Sequence, residues 1–111
     1  MTDKISRLEL RRLIDGGTVT VVDALPASYY ARQHLPGAVN LVEDEVDVRA
    51  ADLLPDKSAP IVTYCSNTAC HNSQAVATRL ANLGYTNVRK YAEGVQDWVE
   101  HGLPTESTVR A

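Results

Sequence analysis

The chain has two cysteines, Cys65 and Cys70, which stand five positions apart in a short polar stretch. A cysteine thiolate is a strong nucleophile and a metal ligand, and two neighbouring thiols can form a disulfide. A pair this close in sequence closes no long loop. In a reducing compartment it is more typical of catalytic, redox or metal-binding sites than of structural crosslinks. We take Cys65 as the candidate nucleophile because of the elements that flank it.

Those elements are a strand before the cysteines and a helix after them. The run from Ile61 to Tyr64 is apolar and β-branched, which predicts a strand buried on both faces. From Val76 to Leu83 apolar side chains recur at helical spacing, and Gly84 follows where a helix-ending glycine belongs. Cys65 should therefore lie at the carboxyl end of a parallel strand, where ligands bind in open α/β sheets. Backbone N–H groups and the helix dipole should favour its thiolate there.

Strand and helix patterns alternate along the rest of the chain. Further strands are predicted at 18–22, 38–41 and 87–91, and further helices at 6–16, 27–33, 48–54 and 95–101. This alternation predicts an α/β fold, with a small, mainly parallel sheet, helices on both faces and right-handed crossovers. Asp23 ends the first of these strands. It could hold a loop through backbone hydrogen bonds, or it could be an ordinary turn aspartate.

Composition narrows the possible classes of protein. The 111 residues carry 11 basic and 14 acidic side chains, which gives a net charge of −3. This length suits a single domain, and we expect residues 5–104 to form its core and residues 105–111 a tail. No basic cluster indicates a nucleic-acid partner, and no apolar run is long enough for a membrane helix. The first residues lack the apolar centre of a signal peptide, so we expect a cytoplasmic protein. No pattern indicates a cofactor or an oligomeric state.

Four stretches of the sequence resemble the signatures of one known family. They are Val21-Val22-Asp23, Tyr30 with the run His34 to Leu41, Val62 to Cys65, and the segment from Leu83 to Pro104. In this order they resemble the rhodanese-like domains, and the resemblance covers residues 5 to 105. It implies a small domain with a central parallel sheet.

The resemblance also implies sulfurtransferase activity at Cys65. In that family the loop cysteine takes a sulfane sulfur from a donor, becomes a persulfide and passes the sulfur to a nucleophilic acceptor. The active-site loop would then comprise Ser66, Asn67, Thr68, Ala69, Cys70 and His71, with Asp23 supporting it. Sulfur transfer needs a thiolate to attack and N–H donors to hold an anionic persulfide, which this loop can supply. Cys65 to Cys70 has the six-residue length typical of the sulfurtransferase members.

The loop departs from the family pattern at its end, where catalytic members often carry an arginine followed by serine or threonine. Cys70 and His71 occupy these positions. A guanidinium binds an oxyanion through two hydrogen bonds, and a thiol cannot. We therefore expect a persulfide donor, such as glutathione persulfide or a protein persulfide, rather than thiosulfate, and a thiol as the acceptor.

Cys70 suggests a variation of this chemistry. It could attack the sulfur of a Cys65 persulfide, release sulfide and leave a Cys65–Cys70 disulfide, which a thioredoxin-like reductant would reset. This step needs the two Cα atoms to come within about 7 Å of each other. Cys70 could instead be a small apolar residue beneath the loop.

Three other functions stay open at this point. The domain could be a non-enzymatic sulfur-relay or docking module, or a redox switch that uses the Cys65/Cys70 pair. Zinc is a third reading, with His71 and His34 as further ligands, but the spacing is not a common zinc pattern, so we expect no metal. We expect His34 to fix the Pro-Gly turn, and His71 and His101 to lie at helix ends.

Overall fold

A computed structural model describes residues 2–108, and these form one sheet with helices around it. The strands are β1 (Asp3–Lys4), β2 (Thr20–Asp23), β3 (Val39–Asn40), β4 (Ile61–Tyr64) and β5 (Val88–Tyr91). The helices are α1 (Arg7–Gly16), α2 (Ala27–Arg32), α3 (Val46–Leu53), α4 (Asn72–Asn82) and α5 (Gly94–Glu100), and a 3₁₀ turn at Glu43–Glu45 leads into α3. The strand order is β1-β5-β4-β2-β3, and every pairing is parallel. The parallel α/β sheet predicted from the alternation is confirmed.

The hydrophobic core divides between the two faces of the sheet because side chains alternate along each strand. Val21 and Val62 pack on one face, together with residues of α1 and α5. Val22 and Ile61 pack on the other face, against α3 and α4. The prediction of helices on both faces is therefore confirmed. None of the helices within residues 2–108 is both long and apolar enough to cross a membrane.

Most predicted elements have ends that differ by one or two residues from the observed bounds, and two differences have a clear physical reason. β1 was not predicted, since its two residues are exposed and polar and carry no apolar pattern; it is held by parallel pairing with β5. α3 begins at Val46, earlier than the expected start at Val48, because the buried side chains of Val46 and Ala50 set its inner face. Both differences lie away from the cysteines.

The segment that follows the last helix docks against the fold. Glu106 pairs with His34 in an antiparallel bridge, and its Oε1 accepts a hydrogen bond of 2.8 Å from the Gly37 N–H. The Thr108 N–H donates to the Ala31 carbonyl at 2.9 Å. The expected tail is thus ordered as far as residue 108, and residues 109–111 lie outside the described residues.

Candidate active site

Cys65 is the first residue after β4, and α4 begins at Asn72, so the connecting loop is Cys65–His71. The loop has seven residues, because it includes His71 in addition to the six residues from Cys65 to Cys70 that the sequence analysis counted. Cys65 is only 1% exposed. Its Sγ lies 3.4 Å from the Cys70 carbonyl oxygen and 3.5 Å from the Ser73 Oγ, to which it donates. The loop therefore folds around the Cys65 sulfur, at the carboxyl end of a central parallel strand.

The start of α5 supports this loop from beneath. The Val95 and Gln96 N–H groups donate to the carbonyl oxygens of Cys65 and Ser66 at 2.9 and 3.0 Å. Gly94 has a φ of +72°, and a Cβ at this position would overlap the Cys65 carbonyl oxygen and stand 2.7 Å from the Ser66 carbonyl carbon. Only glycine allows the helix to approach the loop so closely. The first turn of α5 thus fixes the backbone of the candidate nucleophile.

Cys70 lies in the same loop and is half-buried rather than fully buried. Both thiols are free. The backbone N–H groups of Ser66 and Asn72 and the Ser66 hydroxyl stabilise a thiolate at Cys70. The structure thus places the two predicted cysteines in one loop, with the carbonyl group of Cys70 against the Cys65 sulfur.

The two thiols have opposite acid–base tendencies. Burial raises the pKa of Cys65, and its hydrogen bond to Cys70 raises it further, against the lowering effect of Ser73. Burial also acts to raise the pKa of Cys70, but hydrogen bonds from Cys65, Ser66 and Asn72 outweigh it and hold that pKa below its usual value. The thiolate that the sequence analysis expected at Cys65 is therefore favoured at Cys70 in the resting loop.

This difference predicts the order in which the two cysteines react. Iodoacetamide should alkylate Cys70 before Cys65, because Cys70 is more exposed and ionises at lower pH. The labelling rate of Cys70 should rise at a lower pH than an ordinary thiol requires, and that of Cys65 at a higher pH. Peptide mass mapping of the reduced wild-type protein over time, at a series of pH values, measures both rates. Earlier labelling of Cys65 would contradict this assignment.

Ser73 is a site residue that the sequence analysis missed. It is 2% exposed in the first turn of α4, and its hydroxyl and N–H both act on the Cys65 sulfur. Its carbonyl accepts a hydrogen bond of 3.0 Å from the Thr63 hydroxyl, which ties α4 to β4. The available signal was a serine among the apolar positions at the start of the helical pattern.

Asp23 does not hydrogen-bond to the loop that it was expected to support. It is fully buried, and its Oδ1 accepts from the Leu25 N–H at 2.8 Å, which is the turn interaction left open by the sequence. Its Oδ2 accepts from the Tyr64 hydroxyl at 2.7 Å, and that hydroxyl accepts from the Leu35 N–H at 3.0 Å. Asp23 thus fixes Tyr64, the residue that directly precedes Cys65.

None of the three histidines hydrogen-bonds to a cysteine sulfur. His71 is exposed at the residue before α4 and makes no side-chain capping bond. His34 stacks on Tyr30, with ring centroids 3.9 Å apart, and its Nδ1 lies 2.6 Å from the Tyr30 carbonyl. His101 Nδ1 lies 2.8 Å from the Asp97 carbonyl at the end of α5. Within residues 2–108 no three potential metal ligands cluster.

A surface cavity of about 420 Å³ lies between the loop and α5. Its lining residues are Asn67, Thr68, Ala69, Glu93, Gln96, Asp97 and Glu100. The lining carries three carboxylates and, within the described chain, no basic side chain. Asp97 is paired with Arg7 at 3.1 Å, whereas Glu93 and Glu100 are exposed. The surface beside the loop is therefore acidic.

Comparison with known proteins gives relatives across most of the chain. The HTH-type transcriptional regulator Rv0324 of Mycobacterium tuberculosis is 36% identical over 104 residues, which is 94% of this chain and 45% of the regulator. This chain thus spans less than half the length of that relative. Thiosulfate sulfurtransferase PspE of Escherichia coli is 34% identical over 76 residues, covering 68% of this chain and 70% of PspE.

A solved structure and a family model agree with these relatives. The BH2092 protein of Bacillus halodurans superposes with a TM-score of 0.87 at 26% identity, over 96% of this chain and 78% of that chain. The model of the family described as rhodanese-like domain matches residues 6–101. With the fold, the order of the motifs and this match in agreement, the chain belongs to the rhodanese-like domain family.

Proposed function

We propose that the protein is a sulfurtransferase in which Cys65 takes a sulfane sulfur from a small donor, holds it as a persulfide and passes it to a thiol acceptor. The observation that carries this proposal is the placement of the Cys65 sulfur. It lies at the carboxyl end of β4, enclosed by loop backbone and beside the first turn of α4. The Ser73 N–H and hydroxyl beside this sulfur suit an anionic persulfide. The relative PspE, named a thiosulfate sulfurtransferase, supports the same activity.

The charges around the loop favour a persulfide donor over thiosulfate. Cys70 stands where catalytic members of the family often carry an arginine, a residue that could bind the sulfonate group of thiosulfate, and His71 stands at the serine or threonine position after it. The exposed carboxylates of Glu93 and Glu100 line the neighbouring cavity and repel that group. In a persulfide the reacting sulfur carries no sulfonate, so it needs no guanidinium at this position. The proposed donor is therefore a low-molecular-weight or protein persulfide.

Reversing the charge of this surface should improve the reaction with thiosulfate. In the Glu93→Lys/Glu100→Lys variant we expect kcat/KM for thiosulfate to rise by up to about tenfold at low salt, and less at high salt because ions screen the added charges. Steady-state assays at two salt concentrations measure this. Asp15→Lys/Asp52→Lys is the matched control, since it changes the net charge equally at exposed positions in the last turns of α1 and α3, which lead into the amino ends of β2 and β4. Equal gains in both variants would contradict a local effect.

We propose that Cys70 completes the catalytic cycle when no thiol acceptor is present. Its sulfur attacks the Sγ of the Cys65 persulfide, so a Cys65–Cys70 bond forms and the outer sulfur leaves as hydrosulfide. A thioredoxin-like dithiol then reduces the disulfide and returns both thiols. The two free cysteines share one loop, in which the Cys65 Sγ lies 3.4 Å from the Cys70 carbonyl oxygen, and this proximity supports the step.

The test uses reduced protein divided between thiosulfate and glutathione persulfide, desalted, and measured by intact and peptide mass spectrometry. We expect one added sulfur on Cys65 after reaction with the persulfide. Steady-state transfer to an added thiol should be lost in Cys65→Ser, and the loaded state should last longer in Cys70→Ser. Circular dichroism checks that both variants are folded. No added sulfur on a folded wild-type protein with both thiols free would contradict the proposal and favour a docking module or a redox switch.

A further inference from the structure

The Cys65 thiol has one proton and two neighbouring acceptors. Its Sγ lies 3.4 Å from the Cys70 carbonyl oxygen and 3.5 Å from the Ser73 hydroxyl, and in each contact the S–H group is the donor. A hydroxyl can donate as well as accept, so Ser73 can turn its own proton toward the sulfur when Cys65 ionises. The Cys70 carbonyl can only accept. The resting loop therefore holds beside the sulfur a group that binds the neutral thiol and disfavours its anion.

The loading step requires the anion that this carbonyl disfavours. Cys65 loses its proton to solvent, and its thiolate attacks the outer sulfur of a donor R–S–SH. A bond forms between that sulfur and the Cys65 Sγ, the S–S bond of the donor breaks, and RS⁻ leaves and takes up a proton. The net products are Cys65–S–SH and RSH, so no oxidant is needed. As long as the Cys70 carbonyl stays in place, it opposes this step.

The burial of Cys65 indicates that the loop must move during the reaction. The residue is 1% exposed, with the Cys70 carbonyl on one side of its sulfur and the first turn of α4 on the other. A donor has to come within bonding distance of this sulfur. The Cys70 carbonyl can turn without breaking α4, because the His71 carbonyl, one residue later, accepts the Ala75 N–H at 3.1 Å and begins the helical hydrogen bonds.

Asn67 holds the Cys70 carbonyl in its resting position. The Asn67 carbonyl accepts from the Cys70 N–H at 3.1 Å, and its Oδ1 accepts from the Ala69 N–H at 3.0 Å. These two bonds close the turn that leads to Cys70. The Asn67 side-chain amide also donates to the Gln96 Oε1 at 3.1 Å, which fastens the turn to α5. One residue thus joins the tip of the loop both to itself and to the neighbouring helix.

We propose that the loop is a two-state element, which the Asn67 turn closes over the neutral Cys65 thiol and which opens when the Cys70 carbonyl turns away from an ionised or persulfidated Cys65. Asn67 is then a positioning residue that sets how readily Cys65 ionises and loads. The base of the loop stays fixed, because α5 holds the carbonyl groups of Cys65 and Ser66. This inference rests on the proposed sulfurtransferase function and adds the control of its first step.

The first experiment follows the backbone of residue 70 by NMR in Cys70→Ser protein, which keeps this carbonyl and leaves Cys65 as the only thiol. The ¹³C signal of the carbonyl and the amide signal of His71 belong to one peptide group. Both should change as rising pH ionises Cys65, and change again on loading with glutathione persulfide. The Cys65→Ser/Cys70→Ser protein gives the background from titration of the His71 ring, and it should lack both changes.

The second experiment measures the alkylation of Cys65 by iodoacetamide, and its loading by glutathione persulfide, in the same Cys70→Ser background. Asn67→Ala should raise both rates at neutral pH by up to about tenfold and move the pH profile of alkylation to lower pH, because it weakens the closed loop. Gln96→Ala removes only the bond to α5 and should give a smaller rise. Asp56→Ala is the matched control, since its Oδ1 accepts the same type of turn hydrogen bond in the loop before β4, and it should change neither rate.

The outcomes separate this inference from the function on which it rests. Wild-type protein that takes up no sulfur overturns the sulfurtransferase proposal, whereas the pH series tests the loop without any donor. A carbonyl signal of residue 70 that does not follow the ionisation of Cys65 overturns the two-state loop alone. Slower loading in a folded Asn67→Ala variant also overturns it, since the turn would then support the reaction. Faster alkylation with an unchanged pH profile overturns it as well, because exposure of the thiol would then explain the gain.

Discussion

Gly94→Ala is expected to destabilise the fold by about 2–4 kcal/mol and to lower sulfur transfer by at least about 100-fold. Gly94 has a φ of +72°, and the Cys65 and Ser66 carbonyl groups occupy the space that a side chain at this position would need. An added methyl group must push the loop away from α5 and break the hydrogen bonds to the Val95 and Gln96 N–H groups. Urea unfolding and persulfide loading measure the two effects.

Gly102→Ala is the matched control for this substitution. Gly102 has nearly the same φ, +71°, but no atom lies within 4 Å of where its Cβ would be. It should therefore show only the backbone cost, about 1 kcal/mol, and normal loading of Cys65. If the two variants lose equal stability and activity, the close contact between α5 and the loop is not what positions Cys65.

Asp23→Ala should destabilise the protein by about 3 kcal/mol at neutral pH, because it leaves two buried donors without an acceptor. These donors are the Leu25 N–H and the Tyr64 hydroxyl, whose hydrogen bonds Asp23 accepts at 2.8 and 2.7 Å. Asp56→Ala is the control, since Asp56 accepts the same type of turn hydrogen bond from Ser58 at the surface. That variant should lose little stability. Chemical unfolding of the three proteins decides between a buried network and a simple turn.

The difference in stability between wild type and Asp23→Ala should also depend on pH. Burial raises the pKa of Asp23 above its ordinary value of 3.8, and the hydrogen bonds from Tyr64 and Leu25 only partly offset this. The folded protein thus holds this proton more tightly than the unfolded chain does. The stabilisation that comes from this tighter proton binding is fully present below pH 3.8 and is lost as the pH rises through the pKa of Asp23 in the folded protein. The difference in unfolding free energy between wild type and Asp23→Ala should therefore narrow from acidic to neutral pH, and a widening difference would contradict this.

Local patterns of the sequence were enough to predict the sheet and the placement of the cysteines. The apolar run at 61–64 and the helical spacing after Gln74 identify a strand and a helix, and Cys65 follows from their junction. β1 carries no such pattern, because it exists through its pairing with β5 rather than through its own two residues. Periodicity therefore predicts the buried elements, and misses an element that only its neighbour stabilises.

The supporting contacts of the site could not be predicted in this way, because they join distant parts of the chain. Tyr64 belongs to an apolar run, and its hydroxyl partner Asp23 lies 41 residues away. Gly94 carries no local signal of its role, which depends on the packing of α5 against the Cys65 and Ser66 carbonyl groups. The lowered pKa of Cys70 likewise depends on hydrogen bonds that form only in the folded loop.

The two strands at the ends of the sheet have a consequence for how copies of this chain can meet. β1 and β3 are each two residues long, so each outer edge offers only a short row of backbone groups. Another chain cannot build a long ladder on such an edge, which is how sheet proteins avoid edge-to-edge aggregation. The central strand β4 is paired along its whole length on both sides and is unavailable. Self-association by extension of the sheet is therefore disfavoured, and any partner protein must approach through side chains and loops instead.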